Sequence, residues 1–490
     1  MKVAFVTPEF LSLVRKTNLA DIAESLPRAM AAQRAQVMVF LPYTQDIDAK
    51  LLPQLSRLGS LEVPLGDSHV PVTYWRGQLG DLSVVLVDHP TAFENKHPYG
   101  DENGPYLDNW WRYALFSRAV LEGFALADFT PDVIHCLDWT TGLVPVFHRL
   151  HCLGVESHPA HRAGTWFGVH NRAMQGSFER EILPKIGIPH EYFRAIEGVE
   201  QGGKVNYLKA GAEFATILGT HLPHQLVDLV AHRRSDGMDE TLERRKKEVV
   251  GIQNGVDYRH WDPKTDPVLA KNFGPEDQEL VGKKKCKAYA QEHYNLDVNP
   301  KVPTVFVIER FDSDNGFELL NAALTPLLER GLQLVLMGPG QPEIIDRLRM
   351  VEQTFPGSCK VIEGYNVHAA HQLLAGSDAF LMPAHDYSTH TLAAIAMRYG
   401  CAPIGYAHNG LEDTLIDMGA NPKTGNGYTF PHYSAESLMK AIDRMRTDFK
   451  TAATWKGVVQ RCVEADFSWD ACAAEYLKAY RRVTRRIRGR

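Results

Sequence analysis

The chain has 490 residues, of which 44% are hydrophobic, 10% aromatic and 23% charged. Such a content excludes a disordered chain and leaves room for about two to four domains with large buried cores. The net charge of −6, from 53 Lys and Arg against 59 Asp and Glu, argues against a dedicated nucleic-acid binder. Seven cysteines (Cys136, Cys152, Cys286, Cys359, Cys401, Cys462 and Cys472) are scattered without a C-x-x-C pair. That odd, dilute set fits reduced thiols in a cytoplasm better than a disulfide framework or a structural zinc site. No apolar stretch approaches the roughly 18–20 residues needed to cross a bilayer. Met1–Val6 runs straight into a strand-like segment without a signal peptide's apolar region and cleavage site. The expectation is a cytoplasmic protein without a membrane segment.

In chain order, Val3–Val6 is a short apolar run bounded by Thr7-Pro8 and reads as a buried parallel strand. Leu19, Ile22, Ala23, Leu26, Ala29 and Met30 recur at helical spacing after it, with Asp21 near the helix start. Val37–Leu41 is a second strand, so the opening is β-α-β and the class is doubly wound α/β. Ser83–Val87, Asp132–His135 and Thr165–Val169 add strand candidates. The same grammar restarts with a strand at Val302–Ile308, a helix at Phe317–Glu329 and a strand at Leu332–Met337. Lys360–Ile362 and Ala379–Pro383 follow it. Two α/β halves are expected, joined near the charged stretch Arg233–Lys247, which reads as an exposed connection. In such proteins ligands bind at the carboxyl ends of the strands.

Read in order, those strand ends carry a family's motifs. Pro8-Glu9-Phe10 with Lys16-Thr17-Asn18-Leu19-Ala20-Asp21 resembles the first donor loop of bacterial glycogen synthases and plant starch synthases. His135-Cys136-Leu137-Asp138-Trp139-Thr140-Thr141 is similar to their H-x-H-D-W-H-T segment, and Val169-His170-Asn171 through Gln175-Gly176 to I-H-N-x-x-x-Q-G. Asn206–Gly211, Gly251–Asp257 with Trp261-Asp262-Pro263, Arg398–Ile404, Gly410–Thr414 and Asp466–Trp469 extend the match to the last helix. The resemblance implies a GT-B fold, two Rossmann-like doubly wound domains facing a cleft. It implies an N-terminal acceptor-side domain over 1–248, a nucleotide-sugar domain over 249–465 and a helix over 466–490 crossing back to the first domain. The implied reaction is retaining transfer of glucose from ADP-glucose to an α-1,4-glucan, with no metal and no further cofactor.

The implied chemistry must stabilise a positive, oxocarbenium-like sugar and a departing diphosphate. Lys16 and Arg310 occupy the family's phosphate positions; as isolated residues they would be solvated surface charges. His170 corresponds to the sugar-binding histidine. Asp138 corresponds to the acceptor-side acid, with a helix N-cap as the equally open alternative. Tyr365 matches the residue that stacks on the adenine, against the plainer reading of a half-buried aromatic. Thr391, Leu392 and Gly410 fall in donor-binding segments.

Four departures fall in the same segments. The loop K-T-G-G-L-x-D is here Lys16-Thr17-Asn18-Leu19, one residue shorter and without glycine. Glycines there let backbone N–H groups approach a phosphate. In place of G-R-x-x-x-Q-K-G stands Glu309-Arg310-Phe311-Asp312-Ser313-Asp314-Asn315-Gly316, so the diphosphate's lysine is Asn315 and three acids surround it. The family glutamate beside the anomeric carbon is Tyr387, and a helix-start glycine is His390. Asp386 is adjacent, but one position re-aims a helical side chain by about 100°. Asn409-Gly410-Leu411 keeps one of two donor-loop glycines.

The best single reading is therefore a glycogen/starch-synthase-like glycosyltransferase with an altered donor site. The alternative is a catalytically inactive relative that binds a glucan, a nucleotide sugar or a partner. In the tail, Leu477, Tyr480, Thr484 and Ile487 lie at helical spacing, which predicts an amphipathic helix packed on the first domain with cations at its C-terminal end.

Overall fold

The computed structural model describes residues 1–52, 55–221, 237–385, 391–408 and 410–488. Its chain divides into two compact units, Met1–Asn254 with Trp469–Arg490, and Gly255–Ser468.

The first unit is built on a nine-stranded sheet. Its strands are β1 (Lys2–Val6), β2 (Gln36–Pro42), β3 (Ser56–Leu65), β4 (Ser68–Leu79), β5 (Leu82–Asp88), β6 (Val133–Leu137), β7 (Gly164–Val169), β8 (Ile217–Thr220) and β9 (Val249–Gly251). They lie in the order β9-β8-β7-β6-β1-β2-β5-β4-β3. The strands from β9 to β5 pair in parallel, and β3 and β4 add an antiparallel edge. Because side chains alternate, Val3 and Phe5 enter one core and Ala4 and Val6 the other. Helix α1 (Leu19–Ala32) buries Leu19, Ala23, Leu26 and Met30 on the Phe5 face; α2 (Asn109–Leu126) covers the opposite face.

The terminal helix Trp469–Arg488 packs on the same face as α1. Its buried stripe is Cys472, Ala473, Tyr476, Ala479, Tyr480 and Val483. Of the stripe read from the sequence, only Tyr480 is fully buried; Leu477, Thr484 and Ile487 lie at the margin. The helix is turned so that Tyr476 and Tyr480, two of the largest fully buried side chains, enter the core between the smaller Cys472, Ala473 and Ala479.

The charged stretch expected to be a connection is not one in its described part. Asp239–Arg245 forms helix α3, and Arg245 is buried, donating to the carbonyls of Ala212 and Ala215. Strand β9 then pairs with β8, so the passage to the second unit falls after Asn254. Of this basic run only Arg245 turns inward to satisfy carbonyls at the end of a helix; Arg244, Lys246 and Lys247 stay exposed.

The second unit carries β10 (Thr304–Ile308), β11 (Gln333–Gly338), β12 (Cys359–Glu363), β13 (Ala379–Met382), β14 (Ala402–Tyr406) and β15 (Tyr428–Phe430). All pairings are parallel, in the order β12-β11-β10-β13-β14-β15. Apolar runs such as Val305-Phe306-Val307 are fully buried because helices cover both faces. Helix α4 (Phe317–Glu329) follows β10, and α5 (Thr391–Arg398) follows β13.

Candidate functional site

In the first unit the candidate residues sit at the carboxyl ends of β1, β6 and β7. After β1, Glu9 is fully buried and its carboxylate organises the loop. It accepts the backbone N–H of Lys16 at 2.6 Å and of Thr17 at 2.7 Å, and the Thr17 hydroxyl at 2.8 Å. Tyr99 also donates to it, and burial first, then the Glu9 charge, holds the Tyr99 phenol in its neutral form. Two N–H groups beside the missing glycine are thus committed to an internal carboxylate. The Lys16 ammonium is 3.0 Å from Asp46, which His97 approaches at 2.9 Å on its other oxygen. Lys16, His97, Tyr99 and Gly100 line a cavity of about 280 Å³.

Asp138 ends β6 and caps no helix with its side chain. Its carboxylate instead accepts the backbone N–H of His170 at 2.7 Å and of Asn171 at 3.2 Å, fixing the turn after β7. Its backbone has φ 54° and ψ −171°, a conformation that side-chain-bearing residues avoid. Burial pushes its carboxyl up to about 7, against the two N–H donors that pull it down.

His170 stands beside it. Neither ring nitrogen has a hydrogen-bond partner among the described residues, although both are buried. Burial, then His221 and His135, lower its basicity well below the ordinary imidazole value, so the ring is neutral at physiological pH. Val169 pairs with Thr220 across β7 and β8, and that register brings His221 alongside. The two imidazoles stack with centroids 5.3 Å apart and planes 16° apart. A neutral imidazole with both nitrogens unpartnered retains one donor and one acceptor, the groups that pair with hydroxyls.

The second unit places Arg310 and Asn315 in the turn between β10 and α4. The Arg310 side chain is 67% exposed, with its Nε 4.0 Å from Asp312. Asn315 does not project outward. Its side-chain amide donates to Asp312 Oδ1 at 2.7 Å, and its backbone N–H donates to the same oxygen at 3.0 Å. Gly316 follows at φ 77°, where an added Cβ would lie 2.2 Å from the Pro383 carbonyl oxygen. Tyr365 lies just past β12 and is 59% exposed, more open than the half-buried alternative. Thr391 and Leu392 open α5; Leu392 packs against the core. Gly410 is buried at φ 82° before a short turn at Leu411–Asp413, a backbone that favours glycine whatever it binds.

Tyr387 and His390, the sharpest departures, and Asn409 lie outside the described residues. Next to them is an aromatic group that sequence reading did not identify. His385 is 4.8 Å from Tyr433, 5.1 Å from Tyr406 and 5.3 Å from His408, measured between ring centroids. Glu9 and His221 were missed likewise. Glu9 was visible as an acid directly after the first strand, and His221 only through strand register. Among the described residues no group of three or more His, Cys, Asp and Glu is placed to hold a metal ion. None of the described helices is long and apolar enough to cross a membrane.

The starch synthase catalytic domain family matches residues 2–244, and glycosyl transferases group 1 matches residues 290–457. The glycogen synthase of Geotalea daltonii is 32% identical over 483 residues, covering 99% of each chain. That of an Anaeromyxobacter species is 34% identical, covering 98% of this chain and 99% of the relative. Among solved structures, the catalytic domain of Arabidopsis thaliana starch synthase IV, bound to ADP and acarbose, aligns with a TM-score of 0.78. It is 26% identical, over 98% of this chain and 99% of that one. Sucrose-phosphate synthase from Thermosynechococcus elongatus shares the fold at a TM-score of 0.57 and 17% identity. Two parallel-sheet units of this kind define a GT-B glycosyltransferase. The chain belongs to the glycogen synthase and starch synthase family.

Proposed function

We propose that this protein is a cytoplasmic glycogen/starch-synthase-type hexosyltransferase directed at an α-1,4-glucan, whose donor side turns over ADP-glucose only near background. The observation that supports this most is Asn315. It replaces the lysine that neutralises the family's diphosphate, and its amide is spent on Asp312. Losing one charged stabiliser of a developing charge typically costs about 3–4 kcal/mol of barrier, roughly 10²–10³ in rate.

In this reading, the neutral His170 ring binds a sugar hydroxyl, and Asp138 holds the His170–Asn171 backbone while lying toward the acceptor. Lys16 and Arg310 face the phosphates, and Tyr365 stacks on the base. Thr391, Leu392 and Gly410 shape the remainder of the donor pocket. A second reading is a catalytically inactive relative that retains a glucan, a nucleotide sugar or a partner, and Tyr387 in the glutamate position favours it. A phenol supplies a hydrogen bond at most where a carboxylate would face positive charge, and its bulk competes with the sugar ring.

Calorimetry with ADP-glucose, UDP-glucose and a maltooligosaccharide tests the proposal. Weak ADP-glucose binding beside measurable glucan binding is expected. Sub-micromolar affinity for ADP-glucose would refute the altered donor site.

A further inference from the structure

The parallel strands of the first unit have two ends, and the residues described above occupy only the carboxyl one. At the amino ends of β7, β8 and β9 lies a separate cavity of about 230 Å³. Thr165 lies at the start of β7, Thr216 directly before β8 and Glu248 directly before β9. Helix α3 and the end of the terminal helix complete its walls, so all of its lining belongs to the first unit. His170 follows the other end of β7, about 17 Å away along the strand.

Four guanidiniums and three carboxylates line this cavity, and they lie at different depths. Glu213 is only 1% exposed and accepts from the Thr241 hydroxyl at 2.6 Å and from Arg244. Glu248 lies 3.5 Å from Arg245 and 3.1 Å from Arg486. These pairs neutralise the buried part. The surplus cation is Arg149, an exposed side chain whose guanidinium is held 5.6 Å from the Phe214 ring centroid. It makes no ion pair and no hydrogen bond among the described residues. Arg244 gives one N–H group to Glu213, and Arg486 gives one to Glu248 and one to the Thr216 carbonyl at 3.2 Å. Each guanidinium carries five donors, so both keep some for a ligand. One exposed carboxylate, Glu197, opposes an anion from 4.0 Å beyond Arg244.

We propose that this cavity is a phosphate site, taking either a free phosphate or the phosphate group of a small ester. Its open donors come from three separate elements: the turn at Arg149, helix α3 and the terminal helix. A tetrahedral phosphate offers oxygens in three directions to such a set, whereas a flat carboxylate offers two. The volume falls below the roughly 300–1,000 Å³ of pockets for drug-sized ligands, which sets a small molecule apart from a polymer. Leu153, Phe214 and Ile487 give the organic part of an ester an apolar wall. A phosphate held here ties α3 to the last turns of the terminal helix through Arg244 and Arg486. The site is independent of the donor chemistry proposed above.

The test is calorimetry of the full chain with inorganic phosphate, glycerol 3-phosphate and acetate, paired with hydrogen exchange read by mass spectrometry. Phosphate or its ester is expected to bind and acetate to bind far more weakly; the tighter of the first two identifies the source. Arg149→Ala is expected to weaken phosphate about tenfold, the loss of a charge-assisted contact. Glu197→Gln is expected to tighten it about threefold by removing the opposing charge. Both side chains are exposed, so neither change empties the core. Phosphate is expected to slow exchange in residues 239–248 and 481–487, in the wild type and equally in Arg310→Ala. Three results would overturn the proposal. One is no phosphate or ester binding at about 10 mM, and another is acetate binding as tightly as phosphate. The third is phosphate binding that ignores Arg149→Ala and protects neither segment, which places the anion elsewhere.

Discussion

Asp138 combines a strained backbone, a buried carboxyl and two N–H donors from the turn that carries His170. Its carboxyl moves from 3.8 up to about 7 on folding, so the folded chain binds the extra proton between those values. Its ionisation therefore costs stability increasingly as pH rises through that window, and nothing below it. Asp138→Asn, which keeps one accepting oxygen, is expected to stabilise the fold by about 1–2 kcal/mol at pH 8 and to leave it unchanged at pH 4. Denaturant titrations at both pH values check this; equal effects at the two would contradict it. Tyr387→Glu is expected not to restore glucan extension, because the glycine-poor loop at Asn18 and the cation at Asn315 remain missing. A primed turnover assay of that variant reads the outcome directly. Rescue would show that the phosphate side is intact. At this scale the motifs singled out His170 and Asp138, and the fold brings the two together through the His170 N–H. It was silent where a contact is made by burial. Nothing in the spacing of Glu9, Lys16 and Thr17 announces a carboxylate folded back on two amides.

The terminal helix is held by an aromatic contact on its buried face as well as by its charged tail, where Arg486 pairs with Glu248 at 3.1 Å. His135 is fully buried on β6, donates to or accepts from the Tyr480 hydroxyl, and lies among Phe5, Trp166 and Tyr476. Burial lowers its basicity to about 3, far below the unfolded value of 6.5. Between those values the unfolded chain binds the extra proton, so stability falls as pH drops below 6.5. This one ring is expected to cost about 2 kcal/mol on going from pH 7 to pH 5. Replacing both partners, His135→Phe with Tyr480→Phe, is expected to be near neutral at pH 7 and to flatten the acid dependence by that amount. Tyr480→Phe alone strands a buried nitrogen and is expected to cost about 1–3 kcal/mol at pH 7. Chemical denaturation of the three variants at the two pH values distinguishes these outcomes. Elements with continuous apolar runs, such as Val37–Leu41 and Val305–Ile308, were legible because parallel strands bury both faces. The β3–β4 hairpin was not. Its exposed edge alternates polar with apolar residues and dilutes the signal, as in Ser56–Leu65, where only Val63 and Leu65 are buried.

For the molecule as a whole, fold and family follow from motifs spread from the first strand to the last helix, and the full-length relatives agree. Activity does not follow from them, because a scaffold can persist while the charges of one pocket change. The first unit keeps a neutral imidazole and a positioned carboxyl. In the second, Asn315 stands where the resemblance implies a diphosphate-facing lysine, and its amide is bound to Asp312. The most direct measurement is the initial rate of glucosyl incorporation from labelled ADP-glucose into a glucan primer by the unmodified protein. It is best made beside a relative such as the Geotalea daltonii glycogen synthase. The account predicts a rate at least 10²-fold below the relative and near background. A rate within tenfold of the relative would contradict it.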